Sequence, residues 1–135
     1  STGITIEETY SHKKIDYANL ISTTVRLNGK SLTIRGSLFG EGLPRIIYFD
    51  GFHLDLSPEG KLLLIYNKDV PGVVGKVGTL LGKMDVNIAG YQLGRKEGSE
   101  VAIGLIRIDS DPSPNVITQI ANVDEVISAT IIALD

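Results

Sequence analysis

The chain has no cysteine and no tryptophan, one methionine and only two histidines. Without cysteine this chain can form no disulfide scaffold, no thiolate metal site, no cysteine nucleophile and no iron–sulfur cluster. His12 and His53 have no partner at ligand spacing, so a zinc site built on them would need further ligands. Aromatic residues make up only 6% of the chain, which leaves Val, Ile and Leu to build the core. Positive charge is not in excess: 13 Lys and Arg against 16 Asp and Glu give a net charge of -3. Such a chain lacks the basic field of a nucleic-acid binder. No apolar run approaches the ~20 residues of a membrane span, and no signal peptide is visible. The expected partners therefore include neither nucleic acid nor membrane.

What is present reads as globular. The 135 residues are 42% hydrophobic and 21% charged, enough for one ordinary domain or two small ones. Glycine is abundant, 15 of 135, and crowds the stretch from Gly72 to Gly104. The chain starts at Ser1, which reads as a piece excised from something longer.

Residues 1–59 read as all strand. Gly3–Tyr10 alternates, Ser11–Tyr17 is a polar loop, and Leu20–Leu27 and Ser31–Leu38 flank Asn28-Gly29-Lys30. An Asn-Gly between alternating segments is a hairpin signal, because both central positions of a type I′ turn need positive φ. Pro44–Phe49 and Phe52–Leu56 flank Asp50-Gly51, a second hairpin of the same chemistry, and the Phe39–Pro44 stretch is the loop between the two. Ser57-Pro58-Glu59-Gly60 marks a boundary.

Beyond it, Lys61–Tyr66 holds four consecutive apolar residues and reads as a buried central strand. Val73, Val74, Val77, Leu80, Leu81 and Met84 fall on one helical face. Val86–Leu93 and Val101–Ile108 read as strands about a polar tip at Arg95–Ser99. Ser113-Pro114 opens a second helix, with serine suited to the N-cap and proline to the first helical position. Its stripe is Val116, Ile117, Ile120 and Ala121, and Val126–Leu134 closes as a strand. The order β-α-β-β-α-β from residue 60 onward predicts an α+β, ferredoxin-like arrangement: an N-terminal all-strand segment, then one antiparallel sheet with two helices on one face.

Gly72, Gly75 and Gly78 have G-x-x-G-x-x-G spacing, which is not a dinucleotide fingerprint. Gly29-Lys30-Ser31 resembles the end of a phosphate loop but lacks its first glycine and is a hairpin turn. Gly75, Gly78 and Gly82 lie inside a helix, where each costs about 1 kcal/mol against alanine. One reading is close packing of helix on sheet; the other is a bare helix flank that admits a ligand or partner. The first helix start is the site candidate, since free N–H groups there attract an anion. Asn67, Asp69 and Pro71 lie just upstream and Asn87 begins the next strand. Brought together, within one subunit or across a symmetric pair, they complement a small amino acid: an acid for the ammonium, amides and N–H groups for the rest. The plainer reading makes Asp69 a turn acid and Asn87 a strand-edge residue. No catalytic constellation emerges. His53, Arg45 and Arg107 sit in strands, as structural or solvated groups or as parts of an anion site.

Lys68-Asp69-Val70-Pro71-Gly72-Val73-Val74-Gly75-Lys76-Val77-Gly78-Thr79-Leu80-Leu81-Gly82, with Val86-Asn87-Ile88-Ala89 and Gln92-Leu93-Gly94-Arg95, resembles the ACT domain that ends bacterial D-3-phosphoglycerate dehydrogenases. Gly36–Gly40 and Asp50–Leu56 resemble the end of the allosteric-substrate-binding domain that precedes ACT in longer members. The resemblance implies a partial domain of that type over 1–59 and an ACT domain over 60–135. It implies a cytoplasmic regulatory fragment of an NAD-dependent enzyme of serine biosynthesis, without catalytic residues, metal or cofactor of its own. In the family, ACT domains pair side by side and bind L-serine at their interface. The resemblance places those contacts on Asn67, Asp69, Val70, Pro71, Gly72, Val73 and Val74 of one subunit and on Asn87 and Ile88 of the other. Relatives often carry His or Tyr where Asn67 stands. It also places an anion site between the two regulatory domains on Arg45, His53 and Arg107, though Ser57 stands where a further basic residue is usual, and the first half of the substrate-binding domain has no counterpart. The competing readings are a ligand-free structural or oligomerisation domain and the regulatory subunit of an iron–sulfur L-serine dehydratase.

Overall fold

A computed structural model of the chain describes residues 5–11, 20–27, 30–39 and 43–134. Of the two loops expected over 11–17 and 39–44, Ser11, Phe39, Leu43 and Pro44 prove to be strand residues, paired with their neighbours; residues 12–17 and 40–42 and the Asn28-Gly29 turn lie outside the described residues. The chain divides into two compact units, Ser1–Pro58 and Glu59–Asp135.

The first unit is a five-stranded antiparallel meander. Its strands are β1 (Thr5–Ser11), β2 (Leu20–Leu27), β3 (Lys30–Phe39), β4 (Leu43–Phe49) and β5 (Phe52–Leu56), each paired with its sequence neighbour. The Asp50-Gly51 turn has φ of 47° and 87°, the two positive values that a type I′ hairpin requires. In β5, Phe52, Leu54 and Leu56 are buried while His53 and Asp55 are exposed, the period of two expected of a sheet with one covered face.

The second unit opens with β6 (Gly60–Lys68), followed by α1 (Val73–Lys83), β7 (Ile88–Gly94), β8 (Val101–Ile108), α2 (Pro114–Ala121) and β9 (Val126–Leu134). The sheet order is β7-β8-β6-β9 and every pairing is antiparallel, which is the ferredoxin-like arrangement. The apolar run Leu62–Ile65 lies in β6, flanked by β8 and β9, and is buried on both faces. Leu63 and Ile65 of β6 and Ile106 and Ile108 of β8 form one core with Val73, Val77 and Leu81 of α1 and Val116 and Ile120 of α2, so both helices cover the same face. Truncating a fully buried member such as Leu81 to alanine costs about 2–5 kcal/mol. Tyr91 packs against this core, and Gly104 makes room for it: a Cβ there would meet the Tyr91 ring at 3.4 Å.

The ends of α1 depart from expectation. Val74 belongs to the predicted apolar face but is 47% exposed, and Leu80 and Met84 are only half-buried. Ala121, placed on the stripe of α2, is exposed. Val86 and Asn87 precede β7 rather than opening it. Val86 instead closes α1: its N–H donates to the Leu81 carbonyl at 3.0 Å and the Asp85 N–H to Gly82 at 3.2 Å. These are the two bonds of a Schellman motif, with Asp85 at φ 57° where glycine is usual. In α2, Ser113 is the N-cap and Pro114 follows it, but the serine side chain makes no capping bond.

The three interior glycines of α1 do not pack on the sheet. A Cβ at Gly75, Gly78 or Gly82 would meet nothing within 4 Å. At 100° per residue Gly75 and Gly82 fall opposite the stripe of Val73, Val77 and Leu81, while half-buried Gly78 lies beside it with open space where a Cβ would stand, so none of the three is closely packed on the sheet.

Lys76 of α1 reaches Glu125 in the turn before β9. The Glu125 carboxylate holds the Lys76 ammonium above the ordinary lysine range, and Lys76, with a backbone N–H, holds the Glu125 carboxyl below the usual carboxylate range. The contribution of Glu125 is present above its unfolded pKa and fades as pH falls through the folded one. That of Lys76 is present below its unfolded pKa and fades as pH rises through the folded one.

Two outcomes are expected. In chemical denaturation, Gly75→Ala and Gly78→Ala each raise the stability of the isolated protomer by up to about 1 kcal/mol; a loss would mean that something occupies this flank. In thermal melts, Glu125→Gln lowers Tm at neutral pH and its deficit closes below the usual carboxylate range, near pH 4; a deficit independent of pH would show that the bridge does not contribute.

Candidate functional site

The turn from β6 into α1 carries the candidate site. Lys68 N–H bonds to the Glu125 carbonyl at 2.8 Å and Asp69 N–H to the Glu100 carbonyl at 2.9 Å, which ties the end of β6 to the neighbouring strands. Val70 N–H turns back to the Lys68 carbonyl at 2.9 Å. Pro71 follows, and Gly72 takes φ 93° as the N-cap of α1, a left-handed conformation that suits glycine. The first bond of the helix runs from Lys76 N–H to the Gly72 carbonyl at 3.0 Å. The N–H groups of Val73, Val74 and Gly75 therefore have no acceptor within the helix, no side chain caps this end, and its first turn has no acid.

Around this turn lies an open groove of about 330 Å³, lined by Asp69, Val70, Pro71, Gly72, Val73, Val74, Leu93 and Arg95. It holds one acid and one base, and they are paired: Arg95 Nε donates to Asp69 Oδ2 at 2.9 Å. Val70 and Val74 are each 47% exposed and Leu93 is 39% exposed. These are three of the four exposed large hydrophobic residues found among the described residues, the fourth being Ile127. The groove thus joins uncapped N–H groups, a carboxylate and an apolar rim.

Of the residues assigned from sequence, the structure gathers Asp69, Val70, Pro71, Gly72, Val73 and Val74 here. Asn67 is next to them in sequence but does not line the groove. It is buried at 4% exposure, and its Nδ2 donates to the Lys68 carbonyl at 2.8 Å. Asn87 and Ile88 lie at the other end of the sheet. Lys68 pairs with Val101 at the start of β8, whereas Ile88 pairs with Ile108 at its end. Asn87 is exposed and donates from Nδ2 to Asp109. The arrangement in which Asn87 joins Asp69 within one subunit is therefore excluded. Leu93 and Arg95 complete the groove; the sequence places them in a strand, a polar tip and the Gln92–Arg95 motif but does not mark them as site residues. Arg95 is 26 residues from its partner, beyond any local periodicity.

The residues of the expected anion site are engaged within their own units. In the first, Arg45 Nε donates to Asp55 Oδ1 at 2.7 Å. Exposed His53 stands nearly perpendicular to the Tyr48 ring, centres 5.6 Å apart, and the Arg35 guanidinium lies 4.5 Å from the centre of the same ring. In the second, Arg107 donates to the Glu59 carbonyl and covers Gly60, which turns at φ 82° into β6. Among the described residues no helix is long and apolar enough to cross a membrane.

Comparison with known proteins agrees with this architecture. Residues 61–125 match the ACT domain family. The D-3-phosphoglycerate dehydrogenase of Archaeoglobus fulgidus is 36% identical over 135 residues, 98% of this chain and 25% of that protein. Its namesake from Bacillus subtilis is 33% identical over 132 residues, 98% of this chain and 25% of that protein. That from Mycobacterium tuberculosis is 35% identical over 121 residues, 88% of this chain and 23% of that protein. The chain thus spans about a quarter of the length of the curated relatives it matches, and the matched quarter is their ACT-bearing C-terminal part.

Proposed function

Residues 61–125 belong to the ACT domain family, and from that premise we propose that the chain is the L-serine-sensing regulatory part of a cytoplasmic D-3-phosphoglycerate dehydrogenase. In this reading residues 1–59 are part of an allosteric-substrate-binding domain. The chain performs no chemistry and holds no cofactor, since NAD serves the catalytic part of the enzyme.

The observation that carries the reading is the groove at the start of α1. A free amino acid is a small zwitterion. The N–H groups of Val73, Val74 and Gly75 suit its carboxylate, which the helix dipole also favours. Asp69 suits its ammonium, and Val70, Val74 and Leu93 supply an apolar rim for a second copy to cover.

A second copy completes the site. Strand β7 lies at an edge of its sheet and pairs with β8. If β7 pairs antiparallel with its own copy about Tyr91, the midpoint of Ile88–Gly94, Asn87 of one copy stands opposite Arg95 of the other. The carboxamide missing from each groove then arrives from the second protomer, two identical sites form, and the exposed apolar rim is covered. Regulation follows as a population shift. Serine favours the paired arrangement by its differential affinity, with a coupling of about 1–3 kcal/mol between sites.

Isothermal titration of the chain with L-serine tests this. Binding is expected in the wild type, and Asp69→Ala and Asn87→Ala should each weaken it about tenfold or more, as loss of a hydrogen bond to a charged group does. Both variants should keep the wild-type circular dichroism spectrum, because neither side chain belongs to the apolar core. Equal affinity in the Asp69→Ala variant would overturn the assignment. Saturable pairing of copies with no heat from serine would favour the ligand-free oligomerisation role instead.

A further inference from the structure

We infer that Arg95 is a built-in competitor for the ligand's ammonium group: it holds Asp69 in the empty groove and must leave it when an amino acid binds. The inference rests on the reading of the groove as an amino-acid site and goes beyond it by naming the residue that sets the affinity.

The geometry is local and complete. Asp69 is the one carboxylate among the residues that line the groove, and Arg95 is the one cation. Arg95 follows the last residue of β7, at the opening of the polar tip that leads to β8. From there its Nε donates to Asp69 Oδ2 at 2.9 Å. The two side chains are not equally placed. That of Asp69 is only 22% exposed, whereas that of Arg95 is 69% exposed. The acid is fixed on a turn whose backbone is tied at Lys68, Asp69 and Val70, and the base reaches it from solvent.

This asymmetry decides which group yields. A mostly covered carboxylate has little room for a second cation, and two cations on one carboxylate repel each other. An arriving ammonium therefore displaces the guanidinium rather than adding beside it. Arginine can withdraw into water at little cost, because its own side chain is already 69% exposed and an ion pair at the surface is worth about 0–1 kcal/mol and is screened by salt. The contact gives the Asp69 carboxylate a partner while the groove is empty and is too weak to lock it. It also discriminates by chemistry: a ligand without an ammonium cannot exchange with Arg95.

The exchange has a structural consequence. Arg95 released from Asp69 is free at the end of edge strand β7, where the proposed pairing places Asn87 of the second copy. Binding at Asp69 thereby changes the charge presented at the strand edge that meets the partner.

The test compares L-serine affinity by isothermal titration in the wild type, Arg95→Gln and Arg95→Lys, each at low and high sodium chloride. Arg95→Gln is expected to bind about two- to fivefold tighter than wild type, the range that an exposed ion pair spans. The lysine variant keeps a competing cation and should stay near wild type. The gap between wild type and Arg95→Gln should narrow as salt rises. In spectra of the nitrogen-15-labelled wild type, the Arg95 Nε–H signal should move on serine addition. If the wild type binds serine and Arg95→Gln binds it equally or more weakly, the competitor role is overturned while the amino-acid site stands. If none of the three proteins binds serine, the amino-acid site itself is refuted and the competitor role with it.

Discussion

Strand β6 is hydrogen-bonded on both sides, to β8 and to β9, and this double antiparallel pairing fixes everything else in the second unit. Its apolar run cannot slide in register without moving Leu63 and Ile65 out of the core they share with both helices. The strand must therefore end at Lys68, and the turn that follows must deliver α1 onto the covered face. That turn is short and constrained: three backbone bonds, a proline and a left-handed glycine set its path. The uncapped start of α1 and the Asp69 carboxylate are consequences of how the strand ends, held in place by the core rather than by each other.

The same constraint separates the ends of the sheet. Asp69 and Arg95 stand at one end, and Asn87 with Asp109 at the other. One protomer offers a groove with an acid, a base, helix N–H groups and an apolar rim, and no carboxamide among the residues that line it. In the proposed assembly, two copies related by a twofold axis bring opposite ends together. Ligand binding and pairing then become one equilibrium, which is what a sensor needs. An affinity difference of a few kcal/mol between the separate and paired arrangements suffices to shift the population substantially. Weak, exposed ion pairs suit that role better than buried ones, because they can be exchanged without disrupting the core.

Much of this was legible in the sequence because it rests on local rules. Four consecutive apolar residues marked the central strand, the spacing of Val73, Val77 and Leu81 marked the covered face of α1, and Asp50-Gly51 marked a hairpin by its need for positive φ. What was not legible depends on which way a side chain points once the helix is docked. Periodicity leaves Gly75, Gly78 and Gly82 open to two readings, a packing flank or a bare one, and only the docked helix shows that a Cβ at each would meet open space. Val74 shares the helical stripe by periodicity, yet it is 47% exposed and forms part of the groove's rim. Asp85 closes α1 in a left-handed conformation where no glycine signalled an end. The Asp69–Arg95 pair joins a turn to a hairpin tip, a contact that only the sheet order creates.

The absence of cysteine from the chain allows a direct measurement of the central claim, that two antiparallel copies complete each site. One population of the chain carries Asn87→Cys and a second carries Arg95→Cys. They are mixed with L-serine under mild oxidation and separated on a non-reducing gel. The account predicts a covalent dimer joining the two populations, formed faster with serine than without and much faster than in either population oxidised separately. Mixed dimers no more abundant than those of each population by itself, with or without serine, would contradict it.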